Sequence, residues 1–249
     1  MISEFISGID AYGRAGKYYF KPFAVKYILL SGLLSLVFFL VLMGVIFQWG
    51  DNLGLSIIGL FTDGDLADWL SKLIRAVSVV LLWTIVVFIF KYLVIIIIAP
   101  IMSILSEKVE QLETGKPLDL KLSIWDQLYL MLRGLRLALS NIGRELTLTF
   151  ILLLLSLIPG FIIFTTPMIF VVQAYYAGFG NLDLFMERHF DVKGSRAFVG
   201  RHKAASVANG AVFLALLLIP FVGAFLAPAI STMAATVTGV ELLEKDDFS

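Results

Sequence analysis

Residues 152–167, LLLLSLIPGFIIFTTP, and residues 214–228, LALLLIPFVGAFLAP, follow one pattern. An apolar run is broken by an Ile-Pro pair, and a second proline follows: Pro159 then Pro167, Pro220 then Pro228. A proline in a helix interior removes a backbone donor and clashes with the preceding turn, at about 3 kcal/mol or more. Gly160 and Gly223 beside these pairs supply the backbone freedom a tight bend needs. Pro159, Gly160, Pro167, Pro220, Gly223 and Pro228 are therefore read as bend residues.

The tracts around them, residues 146–182 and 204–240, carry no charge. As one straight helix each would rise about 55 Å, nearly twice the roughly 30 Å of a bilayer's hydrocarbon. Residues 27–50 and 76–90 are also uncharged. The chain is 59% hydrophobic and only 15% charged, against about 45–50% and about 25% in soluble domains. These values predict an all-α integral membrane protein forming one membrane domain over 1–249, with the lipid bilayer as its first partner. Acidic and basic residues balance at 19 each, and no basic module stands apart, which argues against a nucleic-acid partner. The segment MISEFISGID holds two acids and no long apolar core, unlike a cleaved signal peptide.

Charge sets the expected topology. Lys and Arg favour cytoplasmic loops. Residues 1–26 carry Arg14, Lys17, Lys21 and Lys26, whereas the segment after the first apolar tract carries Asp51, Asp63, Asp65 and Asp68. The reading is a cytoplasmic N-terminus, a transmembrane helix over 27–48, an external acidic loop and a returning helix over 74–98. If each proline tract crossed once, basic segments would fall on opposite sides: Arg133, Arg136 and Arg144 before the first tract, and Arg188, Lys193, Arg196, Arg201 and Lys203 after it. If each tract enters and turns back, all of them stay cytoplasmic. Re-entrant helical hairpins over 146–176 and 206–240 are expected, with two kinked complete spans as the rival. Exposed bend carbonyls are tolerable at that depth only when buried in protein or facing water, and paired broken segments of this kind point to a transport site.

Residues 122–143 read as an interfacial amphipathic helix. Trp125, Leu128, Leu132, Leu135 and Leu139 recur at helical spacing, and Arg133 and Arg136 lie off that stripe. Phe5, Ile9 and Tyr12 form a weaker stripe near the N-terminus. No catalytic pattern emerges. His189 and His202 form no H-E-x-x-H, no G-x-S-x-G occurs, and no cysteine is present. A non-enzyme with no catalytic residues, metal site or cofactor is expected. No phosphate-binding loop of the G-x-x-x-x-G-K-[ST] type occurs, so any transport would run on a gradient.

An ordered series of short motifs carries a resemblance: APIMSILSEKVEQLETG (99–115), Arg144-Glu145, Ile158-Pro159-Gly160, NLDLFMERH (181–189), Asn209-Gly210, Ile219-Pro220 and APAISTMAAT (227–236). Together they resemble the CysZ sulfate permease family and its relatives named for the etoposide-induced protein. The resemblance implies two long transmembrane helices with two part-way hairpins, sulfate uptake across the bacterial inner membrane for cysteine synthesis, and homo-oligomers. One departure concerns the substrate. Sulfate permeases of the family carry Gly-Leu-Arg after a proline near the first span. Here Pro22 is followed by Phe23, Ala24 and Val25, leaving Lys26 as the nearby cation. Lysine is a point charge without the bidentate fork of a guanidinium.

Lys26, Lys91, Lys108, Arg144 and Arg188 are the candidates for an anion path, since a sulfate dianion needs cationic or N–H donors. Glu107, Glu110, Glu145, Asp183 and Glu187 would repel an anion unless paired, so they are candidates for structural ion pairs or, if they line a pore, for cation or proton passage. The expected function is a membrane permease or channel for a small inorganic anion, sulfate first. The alternatives are a pore for another ion and a non-transporting, lipid-interacting membrane organiser.

Overall fold

A computed structural model describes residues 1–38, 40–41, 44, 97–116, 124–219 and 222–247. Among these residues the chain is helical throughout, with no strand. The expected span over 74–98 and Lys91 lie almost wholly or wholly outside the described residues, as do the latter part of the span over 27–48 and Pro220. Two compact units are present, Met1–Gly32 with Ala99–Ser249, and Leu33–Ile98. The account below concerns the first.

Helix α1 (Ile2–Tyr19) presents Gly8, Ala11, Ala15 and Tyr18 inward, a stripe of mostly small side chains at helical spacing. Gly8 lies so close to the later segment around Ala208 that an added Cβ would stand 2.8 Å from the Ala208 Cβ. Pro22 opens α2 (Pro22–Phe38), and the two helices meet at a 104° bend. Proline suits a first helical position because its missing N–H has no partner there anyway. Residues 97–114 form α3, which ends at Gly115 with a positive φ of 66°, the left-handed stop that glycine adopts without strain.

The first proline tract folds as two antiparallel helices, α4 (Ile124–Ser156) and α5 (Ile162–Met186). The chain reverses at residues 157–161, where Gly160 has φ 86°. Their register is visible at the open end, where the Glu187 carboxylate sits 3.7 Å from a Cβ placed on Gly134. The second tract repeats the arrangement with α7 (Lys203–Leu217) and α8 (Val222–Asp247). There Asn209 Nδ2 donates to the Ser231 carbonyl at 3.1 Å. Between the hairpins, α6 (Val192–Arg201) begins at Asp191, whose carboxylate accepts from the Gly194 N–H at 2.7 Å, a side-chain N-cap.

Three expectations are corrected. Pro167 and Pro228 lie inside α5 and α8, not at bends. Pro167 falls in the second turn, where one carbonyl loses its partner, and the Thr166 hydroxyl satisfies the neighbouring Ile162 carbonyl at 2.8 Å. Gly223 also lies within α8, where its missing side chain serves packing: an added Cβ would stand 2.1 Å from the Leu216 carbonyl oxygen. The described part of the interfacial stretch expected over 122–143, from Ile124 on, and the first hairpin arm, expected as two elements, form one helix, α4. No proline interrupts 124–156, and the single glycines Gly134 and Gly143 cost only about 1 kcal/mol each in a helix.

The hairpins cross through glycine. A Cβ on Gly178 would fall 1.8 Å from the Ser206 carbonyl oxygen, and one on Gly210 would fall 1.7 Å from that of Ala174. Reciprocal small residues let α5 and α7 touch backbone to backbone, a packing mode common between membrane helices. The Ser206 hydroxyl adds a bond to the Tyr175 carbonyl at 2.9 Å. Below this crossing lies the apolar core, built on Leu137, Leu182, Phe185, Met186, Phe198 and Val199.

Candidate functional site

Beneath the hairpins, α3, α4, α5 and α8 bring a polar cluster together at the C-terminal end of α5. Arg188 is its centre. Its Nε donates to Glu110 Oε2 at 2.9 Å and its Nη2 reaches the same carboxylate at 2.8 Å. Nη2 also donates to Ser106 Oγ at 2.8 Å, and Nη1 donates to the carbonyls of Leu184 at 2.7 Å and Ser103 at 3.4 Å. His189 Nε2 meets the other Glu110 oxygen at 2.6 Å. Ser106 joins Thr236 of α8 at 2.8 Å, so one network ties three helices. Burial raises the Glu110 carboxyl's pKa, but the His189 bond and Arg188 outweigh it, holding the group below its usual range.

A second guanidinium sits alongside. Arg133 of α4 grips Asp183 with both arms, Nη1 and Nη2 each at 3.1 Å. It also donates to the Phe190 carbonyl at 3.1 Å and to the Ser195 hydroxyl. The bidentate fork is the strong geometry for this pair. Glu187, one position before Arg188, accepts from the Ser103 hydroxyl. Burial dominates there and pushes its carboxyl up to about 7.

The remaining candidates separate from this cluster. Glu107 accepts from Gln111 at 3.0 Å, and Lys108 is exposed with Gln111 at 3.4 Å. Glu145 is buried in α4. Lys26 is exposed on α2, its Nζ 5.9 Å from the Tyr27 ring centroid. Arg144 is exposed on α4 and lines a groove between α4 and α5. Arg133, Ser103, Ser106, His189 and Thr236 belong to the cluster although no sequence pattern named them as site residues. Arg133 and Asp183 lie 50 positions apart, so only the folded hairpin reveals the pair.

Chemically, the cluster is a lock rather than an open receptor. Every nitrogen of Arg188 is engaged by protein acceptors, and Arg133 is similarly committed. A dianion could displace these acids only by leaving buried carboxylates unpaired, at several kcal/mol. Among the described candidate cations, Lys26, Lys108 and Arg144 are left facing outward.

Among the described residues, three helical stretches are long and apolar enough to cross a membrane: Leu132–Ser156, Ile162–Met186 and Phe225–Asp246, or up to four if the bent α1–α2 pair is one span. With the exposed faces of the first two rich in Leu, Ile and Phe and the third mostly buried inside the protein, they define a multi-pass, all-helical membrane protein. Residues 11–228 match the family model described as Sulfate transporter CysZ/Etoposide-induced protein 2.4, and the chain belongs to that family. Two relatives are the Sulfate transporter CysZ proteins of Pseudomonas aeruginosa strains LESB58 and PAO1. Each is 28% identical over 233 residues, covering 90% of this chain and 91% of the relative.

Proposed function

We propose that the protein is a gradient-driven sulfate permease of the bacterial inner membrane, non-enzymatic, working as a homo-oligomer with its N-terminus in the cytoplasm. The observation that carries this reading is the end-to-end match to relatives named sulfate transporters, spanning 90% of the chain. Charge supports the orientation: the basic segments at α1, α6 and the lower part of α4 belong on one side.

The hairpins enter the bilayer apolar tip first and stop part-way. The charge-free part of α4, residues 146–156, is only about 17 Å long, too short for hydrocarbon about 30 Å thick. Immediately below it stand Arg144 and Glu145. A part-way hairpin makes no complete path alone, so the path is completed by the long helices or by other copies of the chain. Val25 stands where the family's Gly-Leu-Arg arginine would be, and Lys26 beside it is exposed on α2, which gives it the first contact with the anion. Arg188 and Glu110 hold the base of the path in shape.

Proteoliposomes containing the purified protein should take up labelled sulfate down a gradient. Lys26→Ala should cut the rate, and Lys26→Arg should keep or raise it, because the guanidinium restores bidentate binding. Sulfate flux no greater than in empty liposomes rejects the reading.

A further inference from the structure

We propose that the groove between α4 and α5 is a binding site for a tetrahedral oxyanion, matched to the phosphodiester of an anionic phospholipid. The groove, of about 390 Å³, is lined by Ser140, Gly143, Arg144, Thr147, Leu148 and Tyr176. Its chemistry differs from that of the cluster. Arg133 and Arg188 are consumed by protein acceptors, whereas Arg144 forms no hydrogen bond or ion pair among the described residues. The Tyr176 hydroxyl likewise makes no hydrogen bond among the described residues. At the rim, Arg196 Nη2 donates to Ser140 Oγ at 2.8 Å, which leaves the Ser140 proton free to donate into the groove. The Arg196 Nε is buried there without a partner. One outward-facing guanidinium, Arg144, and the Ser140 and Tyr176 hydroxyls thus line the groove, with Arg196 held at its rim through Ser140 and the Glu145 carboxylate near Tyr176 but not among the lining residues.

Depth favours the lipid as the source of the anion. Here the inference rests on the part-way hairpin reading. About 18 Å of helix separates Arg144 from the end of α4, and Tyr176 comes level with it on the returning helix. With the tip near mid-bilayer, both stand just outside hydrocarbon of about 15 Å half-thickness, where phosphates lie and where tyrosine is enriched. Above Arg144 on the same face of α4, Leu148, Ile151 and Leu155 are exposed at helical spacing, an apolar wall for an acyl chain. Free sulfate would find the same donors but would leave that wall uncovered.

The test is binding of phosphatidylglycerol to the detergent-solubilised full chain, followed by native mass spectrometry and thermal shift, with phosphatidylcholine and sodium sulfate as parallel arms. Retained phosphatidylglycerol and a raised melting temperature are expected, weakened about tenfold or more by Arg144→Ala and partly restored by Arg144→Lys. Tyr176→Phe gives a second, smaller loss and serves if Arg144→Ala fails to fold. A shift with sulfate alone that Arg144→Ala abolishes keeps the oxyanion site and assigns it to the free ion. Equal binding of all lipids, or binding indifferent to both variants, overturns the proposal. Labelling of the hairpin tips reports membrane depth separately, so a wrong depth and an absent site are told apart.

Discussion

The two ends of each hairpin are built to opposite rules. At the tips, Leu157 is 79% exposed, Ile163 72%, Phe164 70% and Leu218 80%. At the base, Leu182, Phe185, Met186 and Ala205 are fully buried, and Arg133, Glu110 and Asp183 are buried with them. In water this would be an inversion, with large apolar side chains outside and charges inside. In a bilayer such tips would need no cover, because lipid is as apolar as leucine, and the part-way hairpin reading puts the protein's packing where the chain leaves the hydrocarbon. Along α5 buried positions become frequent from Ala174, whose carbonyl lies against Gly210 of α7. The tips present apolar side chains outward, and the base carries the packing of the fold.

The largest effect should come from breaking the base. Glu110→Gln leaves the Arg188 guanidinium buried without its counter-charge and should cost roughly 3–5 kcal/mol in reversible unfolding from detergent. Because the Glu110 carboxyl is held below its usual range, its contribution is present at neutral pH and is lost as pH falls through that lowered value. Next comes the crossing. Gly178→Ala places a methyl on a backbone carbonyl, not on a side chain that could swing away, and should cost about 1–3 kcal/mol or more.

Glu187→Gln should act with the opposite sign. The unfolded carboxyl loses its proton near 4.5, whereas the folded one keeps it to about 7. Between those values the unfolded chain binds fewer protons, so this residue's contribution to stability falls as pH rises. The variant should therefore be more stable than wild type at pH 8, on the order of 1–2 kcal/mol, with the difference shrinking by pH 4. The smallest effect belongs to the tip. Leu157→Ala should change stability by under about 0.5 kcal/mol, measured in the same unfolding assay.

Much of this contrast was legible in the sequence. Uncharged tracts and the Pro159-Gly160 pair announced a reversal, and the structure places it at 157–161. The motifs that carried the family resemblance, such as NLDLFMERH, contribute Asp183, Glu187, Arg188 and His189 to the base. What stayed hidden was pairing at long range. Arg133 looked like one more interfacial cation, and nothing local tied it to Asp183. The roles of Pro167 and Pro228 were misread because a proline near a helix start resembles a bend when composition alone is considered. The crossing glycines Gly178 and Gly210 gave no signal as a pair until α5 and α7 came together.

The central claim is that the tips stop inside the bilayer while the base stays on the side of the N-terminus. The chain contains no cysteine, so single cysteines introduced at Lys21, Leu157, Lys193 and Leu218 can be probed without background. In sealed vesicles, a charged, membrane-impermeant maleimide should label Lys21→Cys and Lys193→Cys to the same extent from the same side. It should label Leu157→Cys and Leu218→Cys from neither. Labelling of either tip from the face opposite Lys193 would make the hairpins full spans and contradict the account.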